Sequence, residues 1–383
     1  MRVDGEQLRI LHVMRAPVGG LFRHVTDLAR GQTARGHQVG VIADSTTGGA
    51  HGEATLAELA TELALGVRRL PMSRHLGWND VTAAAGVARY AREVEASVVH
   101  GHGAKGGAHA RLPRARRWLR VYTPHGGSLH YRWGSPAGFV FLSLERVLMH
   151  RTDLLLFESD FSREAFTTKV SAPRGAVAVV HNGVHPAEFE PVKAEAGATD
   201  LVFVGELRML KGIDLLFDAL VALRAEGHRL TATIVGDGPD AGVLRTRAAS
   251  AGLSGEVRFA GVLPAREAFA LGELLVVPSR AESLPYIVLE AAAAGMPMVV
   301  TRVGGLPEIY GPDAHALVAP DDVDSLGAAL RQQTDGRDLR PLAGRLQARV
   351  RTSFTVEAMT AGVLDAYRAS AADVVRSRCS PRR

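Results

Sequence analysis

Short apolar runs alternate with amphipathic stretches along the whole chain. Leu8 to Met14 reads as a buried strand; Gly19-Gly20 and a helical stretch to about Arg35 follow, and Gly36 stops that helix before a second strand ending at Ala43. Further strands are expected at Val98 to His100, from Val121, at Leu154 to Ser159 and at Val177 to Val184. The pattern then restarts with strand Asp200 to Gly205, helix Ile213 to Arg224, and strands Thr231 to Val235 and Val257 to Gly261. Strand Leu274 to Val277 and helix Tyr286 to Ala294 complete it. Strand and helix in strict alternation imply an α/β fold with parallel sheets covered by helices on both faces.

A chain of 383 residues is longer than one hydrophobic core usually supports. Two Rossmann-like units are expected: residues 1–185 and 200–355, joined by a linker at 186–199. Asn182-Gly183, Pro186 and Pro191 mark the turn-rich exit from the first unit. An apolar content of 46% with 22% charged residues is that of a soluble globular protein. No apolar run is long enough to cross a bilayer, and Met1-Arg-Val-Asp-Gly-Glu-Gln leads straight into a strand without a secretory pattern. A cytoplasmic location is expected. The one cysteine, Cys379, excludes a disulfide framework and a Cys-based zinc site. The net charge of +5 permits an anionic partner, but no strip interleaves aromatic with basic residues, so nucleic acid is not expected.

The most informative stretch is Ser279 to Thr301. It reads as a strand end, a loop carrying Glu282, a turn at Pro285 and a helix whose first amides have no intrahelical partner, which favours an anion. Glu282 and Glu290 flank that position, and two carboxylates beside an anion site suit a ligand that carries hydroxyls as well as phosphates. The plainer alternative is an ordinary strand-loop-helix-strand unit with a solvated glutamate at each end.

The arrangement E-x7-E from Glu282 to Glu290, then Ala-Ala-Ala-Ala-Gly-Met-Pro and Thr301-Arg-Val-Gly-Gly-Leu-Pro-Glu-Ile309, closely resembles the donor-binding signature of the retaining glycosyltransferases of family 4. The resemblance covers nearly the whole chain. It implies the GT-B fold, two Rossmann-like domains facing across a cleft, with a last helix at about 356–375 returning to the first domain ahead of a basic tail, 376–383. It implies a nucleotide-sugar donor, with Glu290 on the ribose hydroxyls, Glu282 facing the donor hexose, and the amides near Tyr286, Ile287 and Val288 on phosphate oxygens. Gly20 and Gly236 belong to the same donor set, and His125 resembles the histidine that contacts the transferred sugar. Gly19, His102 and Lys105 are acceptor-side candidates, the last two in a segment, His100 to Gly107, similar to a loop of the family's first domain.

Relatives place an arginine and a lysine after the first strand of the second domain to neutralise the leaving diphosphate. Lys211 matches the lysine; the arginine position holds Glu206, and Arg208 is the candidate replacement. Fixed cations there stabilise charge that builds on the β-phosphate as it departs. The acidic run Asp321-Asp-Val-Asp324 precedes a helix and reads as its N-cap, and no carboxylate or cysteine completes a ligand set around the histidines. Transfer without a metal or other cofactor is therefore expected.

The acceptor expected from the resemblance is a glycan or a lipid-linked saccharide, in exopolysaccharide or surface-glycan synthesis. Arg111, Arg114, Arg116, Arg117 and Arg120, set among Leu112, Trp118 and Leu119, form a mixed basic and apolar segment suited to an anionic membrane face; a solvated arginine-rich flank is the alternative. A dehydrogenase would need G-x-G-x-x-G after a strand, which neither Gly19-Gly20 nor Gly236-Asp-Gly-Pro239 supplies. A non-catalytic subunit of the same fold and a sugar-nucleotide epimerase remain as alternatives.

Overall fold

Runs rich in Val, Ile and Leu form strands in this computed structural model, which describes residues 7–75, 77–113, 117–127, 131–334 and 338–379. The chain divides into two compact units: Met1–Asn182 with Val356–Arg383, and Gly183–Thr355.

In the first unit the order is β1 (Arg9–Val13), α1 (Gly19–Ala34), β2 (Gln38–Asp44), α2 (Gly49–Glu62), β3 (Val67–Leu70), α3 (Trp78–Glu93) and β4 (Val98–His102). It continues with α4 (Gly103–Arg111), β5 (Leu119–Thr123), α5 (Pro136–Met149), β6 (Leu154–Phe157), α6 (Asp160–Lys169) and β7 (Ala176–Val179). All strand pairs are parallel and the sheet order is β3-β2-β1-β4-β5-β6-β7. β4 and β6 are buried along their whole length, as strands covered by helices on both faces must be.

The second unit runs β8 (Thr199–Val204), α7 (Ile213–Ala225), β9 (Ala232–Val235), α8 (Ala241–Ser250), β10 (Val257–Gly261), α9 (Ala265–Phe269) and β11 (Gly272–Val277). Then come α10 (Tyr286–Ala293), β12 (Met298–Val300), α11 (Leu306–Tyr310), α12 (Val323–Thr334) and α13 (Arg340–Ser353). Its parallel sheet has the order β10-β9-β8-β11-β12. The last helix, α14 (Val356–Cys379), belongs to the first unit, where Met359, Val363, Leu364 and Tyr367 are buried with Leu8, Ile10, Leu28 and Leu119. Both units therefore have the Rossmann-like architecture of a GT-B fold. In each, the strand order reverses beside the first strand, between β1 and β4 and between β8 and β11, and that is where open α/β sheets bind ligands.

Three expectations change. The segment 186–199 is not a bare linker. Val184 donates its N–H to the Phe354 carbonyl at 2.9 Å, Pro186–Phe189 forms a 3-10 turn, and Phe189 enters the second unit's core. The stretch His100 to Gly107 is the end of β4 and the start of α4, not a loop. The basic segment 111–120 is not a continuous surface patch. Arg111 is fully buried: Nη2 donates to Glu145 Oε2 at 2.8 Å, Nε to the Gly107 carbonyl at 2.8 Å, and the guanidinium lies 3.6 Å from the centre of the Tyr122 ring. Arg120 grips both carboxylate oxygens of Asp153 at 2.9 Å, and Trp118 and Leu119 are core residues. Arg117 is exposed, while Arg114 and Arg116 lie outside the described residues. Burial without a partner would be too unfavourable for a guanidinium, so α5 supplies Glu145.

Removing one partner of a buried ion pair leaves the other uncompensated. Arg111→Ala is therefore expected to lower the unfolding free energy by about 3–5 kcal/mol. Urea titration followed by circular dichroism measures it, and a change within about 0.5 kcal/mol, as for an exposed surface residue, would restore the membrane-patch reading.

Candidate functional site

At the strand-order reversal of the second unit, β8 hands over to a 3-10 turn, Met209–Lys211, and β11 to the loop before α10. Lys211 Nζ donates to Glu282 Oε1 at 2.7 Å, and Ser279 Oγ donates to the same oxygen at 2.7 Å. The Glu282 side chain is 8% exposed and that of Lys211 24%, so the pair is largely but not fully desolvated. Ser279 is itself anchored through its carbonyl, which accepts from Thr301 Oγ1 at 2.7 Å.

Arg280, which the motif reading passed over, holds the two segments together. Its backbone N–H donates to the Leu210 carbonyl at 2.9 Å and its guanidinium to the Met209 carbonyl. The same guanidinium donates to both oxygens of Asp214, at 2.7 and 2.8 Å, and to Asp321. Hydrogen bonding to Asp214 raises the Arg280 pKa, so the cation is permanent. The expected N-cap is Asp322, whose Oδ1 accepts from the Ser325 amide at 2.9 Å at the start of α12. The signal for Arg280 was a basic residue shortly after a buried strand; its partner Asp214, on α7, could not be paired with it from spacing alone.

Glycine permits the tight folding here. Gly212 sits at φ +69, and a Cβ on it would lie 1.9 Å from the Pro278 carbonyl oxygen; Gly304, at φ +58, would meet the Glu282 carbonyl oxygen at 2.0 Å. Either contact would push the Lys211 turn or the Glu282 loop apart. Gly236 follows β9 in the same way, with the Gly205 carbonyl against it. Pro285 precedes α10 without a side-chain cap; Tyr286 and Val288 are buried, Ile287 is half-buried, and the Val288 amide reaches the Pro285 carbonyl at 3.3 Å. Glu290 is half-buried one turn into the helix. Arg208 opens the 3-10 turn with its side chain 45% exposed, 3.6 Å from Glu206.

In the first unit the β1–β4 reversal carries histidines. His12 and His100 are register partners on neighbouring strands, and His102 lies two residues further on the same face of β4. His12 Nδ1 lies 2.9 Å from His102 Nε2, and His102 Nδ1 lies 3.1 Å from His125 Nε2. At the ends, His12 Nε2 is 2.9 Å from Gln32 Oε1, and His125 Nδ1 is 3.5 Å from Glu158 Oε2. His24, from α1, places its ring 4.7 Å from that of His125 and meets Asn182 Oδ1 at 3.0 Å. His125 has a left-handed backbone, φ +50, and its ring lies 5.4 Å from that of His102 at the end of β4. Gly19 and Gly20 open α1 nearby in sequence, and Gly19, at φ +65, has no atom within 4 Å of where a Cβ would stand.

Burial dominates the chemistry of these rings. It lowers the pKa of His12 to about 4 and of His24 and His125 to about 3, and pushes His100 and His102 well below the usual histidine value. A chain of neutral imidazoles has one polarity, because each ring donates once and accepts once. With Gln32 Oε1 as acceptor, every ring donates toward Gln32 and the buried Gln32 Nε2 has no hydrogen-bond partner. With that amide turned over, every ring donates the other way, and the last N–H points at the Glu158 carboxylate, so we assign this second polarity.

Among the described residues, His12, His100 and His102, and also His24, His102 and His125, bring ring nitrogens within 4.8 Å of one another. The sequence reading missed His12, His24 and Glu158, which complete these groups; a histidine inside an apolar strand was the available signal. Lys105, an acceptor-side candidate, donates to both Asp80 oxygens at 2.7 and 2.8 Å, so its charge is already matched. That leaves it a structural cation more than an open one.

Matches to known proteins fall in both units. Residues 18–188 match the model "Glycosyltransferase Family 4", and residues 198–335 match "Glycosyl transferases group 1". The chain is 28% identical over 358 residues to the glycogen synthase of Mycobacterium tuberculosis, covering 87% of this chain and 85% of that one. It is 30% identical over 221 residues to WcaL, the colanic acid biosynthesis glycosyltransferase assigned in Escherichia coli, covering 54% of each. The structure of Anabaena HepE, solved with UDP and glucose, superposes with a TM-score of 0.74 at 20% identity, covering 97% of this chain and all of that one (100%). The chain belongs to the family 4-like glycosyltransferases of GT-B fold.

The buried imidazoles make a signed prediction about pH. Their folded pKa values lie below the unfolded value of 6.5, so between pH 6.5 and about 4 the unfolded chain binds protons that the folded one refuses. Stability is complete above pH 6.5 and falls on acidification by up to about 1.4 kcal/mol per pH unit for each such ring. Calorimetric melting across pH 4–8 and imidazole 15N shifts read this directly; rings that titrate near 6.5 in the folded protein would contradict the buried chain.

Proposed function

We propose that the protein transfers a sugar from a nucleotide-diphosphate sugar to a glycan or lipid-linked acceptor with retention of anomeric configuration, in the synthesis of an exopolysaccharide or another surface glycan. The observation that carries the donor half is the Lys211–Glu282–Ser279 cluster at the β8–β11 reversal, beside the N-terminus of α10. Lys211 rests on Glu282 until a phosphate competes for it. The first amides of α10, at Tyr286, Ile287 and Val288, take phosphate oxygens, and Glu290 accepts from ribose hydroxyls. The close approach at Gly236 keeps the loop after β9 clear of side-chain bulk. Arg208 supplies the second cation in place of the arginine absent at Glu206.

Fixed positive groups stabilise the charge that develops on the leaving diphosphate, which is the work a metal would otherwise do. His125 serves the transferred sugar by exchanging its His102 partner for a sugar hydroxyl, with Glu158 holding the other nitrogen. Gly19 leaves room for the acceptor, and Gly20 lets the acceptor and the donor diphosphate come close together. The UDP and glucose bound by HepE support the donor class, and the likeness to WcaL supports the surface-glycan setting. We place the reaction in the cytoplasm, where such donors are made. Among the described residues no helix is long and apolar enough to cross a membrane. Contact with an anionic membrane face, for a lipid-linked acceptor, runs through residues other than Arg111 and Arg120.

Glu290→Ala is expected to weaken donor binding by about one to two decades, the loss of roughly 1.5–3 kcal/mol from a hydrogen bond to a charged group. Calorimetric titration with the preferred UDP-, GDP- or ADP-sugar tests it, and an unchanged affinity would remove the E-x7-E assignment. In the same protein series, Arg208→Ala should lower turnover about as much as Lys211→Ala, whereas near wild-type turnover would show that Glu206 marks a true loss of one cation.

Transfer is expected to continue after dialysis against EDTA, with a product whose anomeric coupling constant matches the donor's. A strict requirement for added Mg²⁺ or Mn²⁺, or an inverted product, would overturn the corresponding half of the reading.

A further inference from the structure

Guanidinium groups near the strand ends of this protein are usually answered by a carboxylate, as Arg69 is by Glu53, Arg120 by Asp153 and Arg280 by Asp214. Arg15 and Arg74 are exceptions. Among the described residues neither side chain has a hydrogen-bond or ion-pair partner, and both line one open cleft of about 670 Å³. The cleft lies at the C-terminal ends of β1, β2 and β3, with Thr46, Thr47 and Asn79 along its wall. Its one carboxylate, Asp44, is turned inward: Oδ1 accepts from the Met72 amide and Oδ2 from the hydroxyls of Thr46 and Thr47, each at 2.8 Å. Those three donors hold the carboxylate in place without help from either arginine. Two unmatched guanidiniums in one cleft call for an anion with several acceptor oxygens.

A second, apolar groove of about 550 Å³ shares Arg74 with the first. His75 also lines it, with Tyr131, Pro136, Ala137, Val140 and Phe141, and the Tyr131 ring stacks on Phe141 with centroids 4.7 Å apart. Val140 is 48% exposed, and before it in the chain α5 presents Pro136, Ala137 and Phe139 outward as well. Among the described residues, Tyr131, Phe139 and Val140 leave an apolar surface to water beside the Arg74 cation.

We infer that these adjoining sites hold one ligand, a prenyl-type lipid diphosphate, with the diphosphate against Arg15 and Arg74 and the hydrocarbon along Tyr131, Val140 and Phe141. The inference rests on the transfer reading above and specifies its acceptor: a saccharide carried on a lipid diphosphate. A soluble sugar phosphate would use the arginines and leave the groove bare; a neutral glycan would use neither. The shared Arg74 is what joins the two halves, because it sits where the charged head must become the chain.

The test uses the full-length protein with farnesyl diphosphate, inorganic pyrophosphate and farnesol as probes in calorimetric titrations. Farnesyl diphosphate should bind at least tenfold more tightly than either fragment, and the Arg15→Gln/Arg74→Gln double variant should lose at least tenfold. Val140→Asp should weaken farnesyl diphosphate and leave pyrophosphate affinity unchanged. Pyrophosphate binding as tightly as farnesyl diphosphate reduces the site to a free-phosphate site and overturns the proposal, as does farnesol binding equally well or a double variant with unaltered affinity. Circular dichroism melting confirms that the variants fold; should one fail to, the three-probe comparison on the wild-type protein decides. Donor hydrolysis by the wild-type protein without acceptor is measured in parallel. Its presence alongside failed prenyl binding overturns only the acceptor assignment, and its absence overturns the transfer reading itself.

Discussion

A polar or charged side chain carried into the interior at the end of a parallel strand must be met there by another, because water no longer reaches it. That requirement organises both units of this protein. In the first it strings His125, His102, His12 and Gln32 into one hydrogen-bonded line from the β4–β5 strand ends to α1. In the second it matches the buried carboxylate of Glu282 with Lys211 and that of Asp214 with Arg280. The buried Arg111–Glu145 pair, roofed by Tyr122, is the same constraint away from the strand-order reversal.

The consequence is a site whose charges are placed before any ligand arrives. Arg280 ties the turn that carries Lys211 to the loop that carries Glu282, and the glycines at 212 and 304 let backbone pass where a side chain would not fit. Such pre-positioning matters for a reaction that builds charge on a departing phosphate, since groups already fixed need no rearrangement as the charge develops. The imidazole line acts differently. Its rings stay neutral because they are buried, so it presents donors and acceptors in a set order and carries no charge of its own.

Against that framework the open features stand out by contrast. Among the described residues, Arg15 and Arg74 lack the partners that their neighbours have, and the Phe139–Val140 face of α5 is exposed where its other side is buried. These are the surfaces on which a partner from outside the chain has most to contribute.

Much of this was legible in the amino-acid order. Period and punctuation determined the two α/β units, because strands buried on both faces must be continuous apolar runs and helices between them must be amphipathic. The stretch from Glu282 to Glu290 was legible as a loop leading into a helix, and Asp321-Asp-Val-Asp324 as preceding a capped helix. Local pattern could not decide which charges are free. Arg111 and Arg120 look like neighbours of Arg117 along the chain, yet a buried carboxylate 34 residues from Arg111 and a partly buried one 33 residues from Arg120 pair with them. His12 lies 90 residues before His102 in the chain and His24 is also far from it, so only the parallel register of β1 with β4 and the packing of α1 bring them together. Short-range physics writes secondary structure into the sequence; pairing between distant charges is a property of three-dimensional proximity, and only the tertiary structure could assign it.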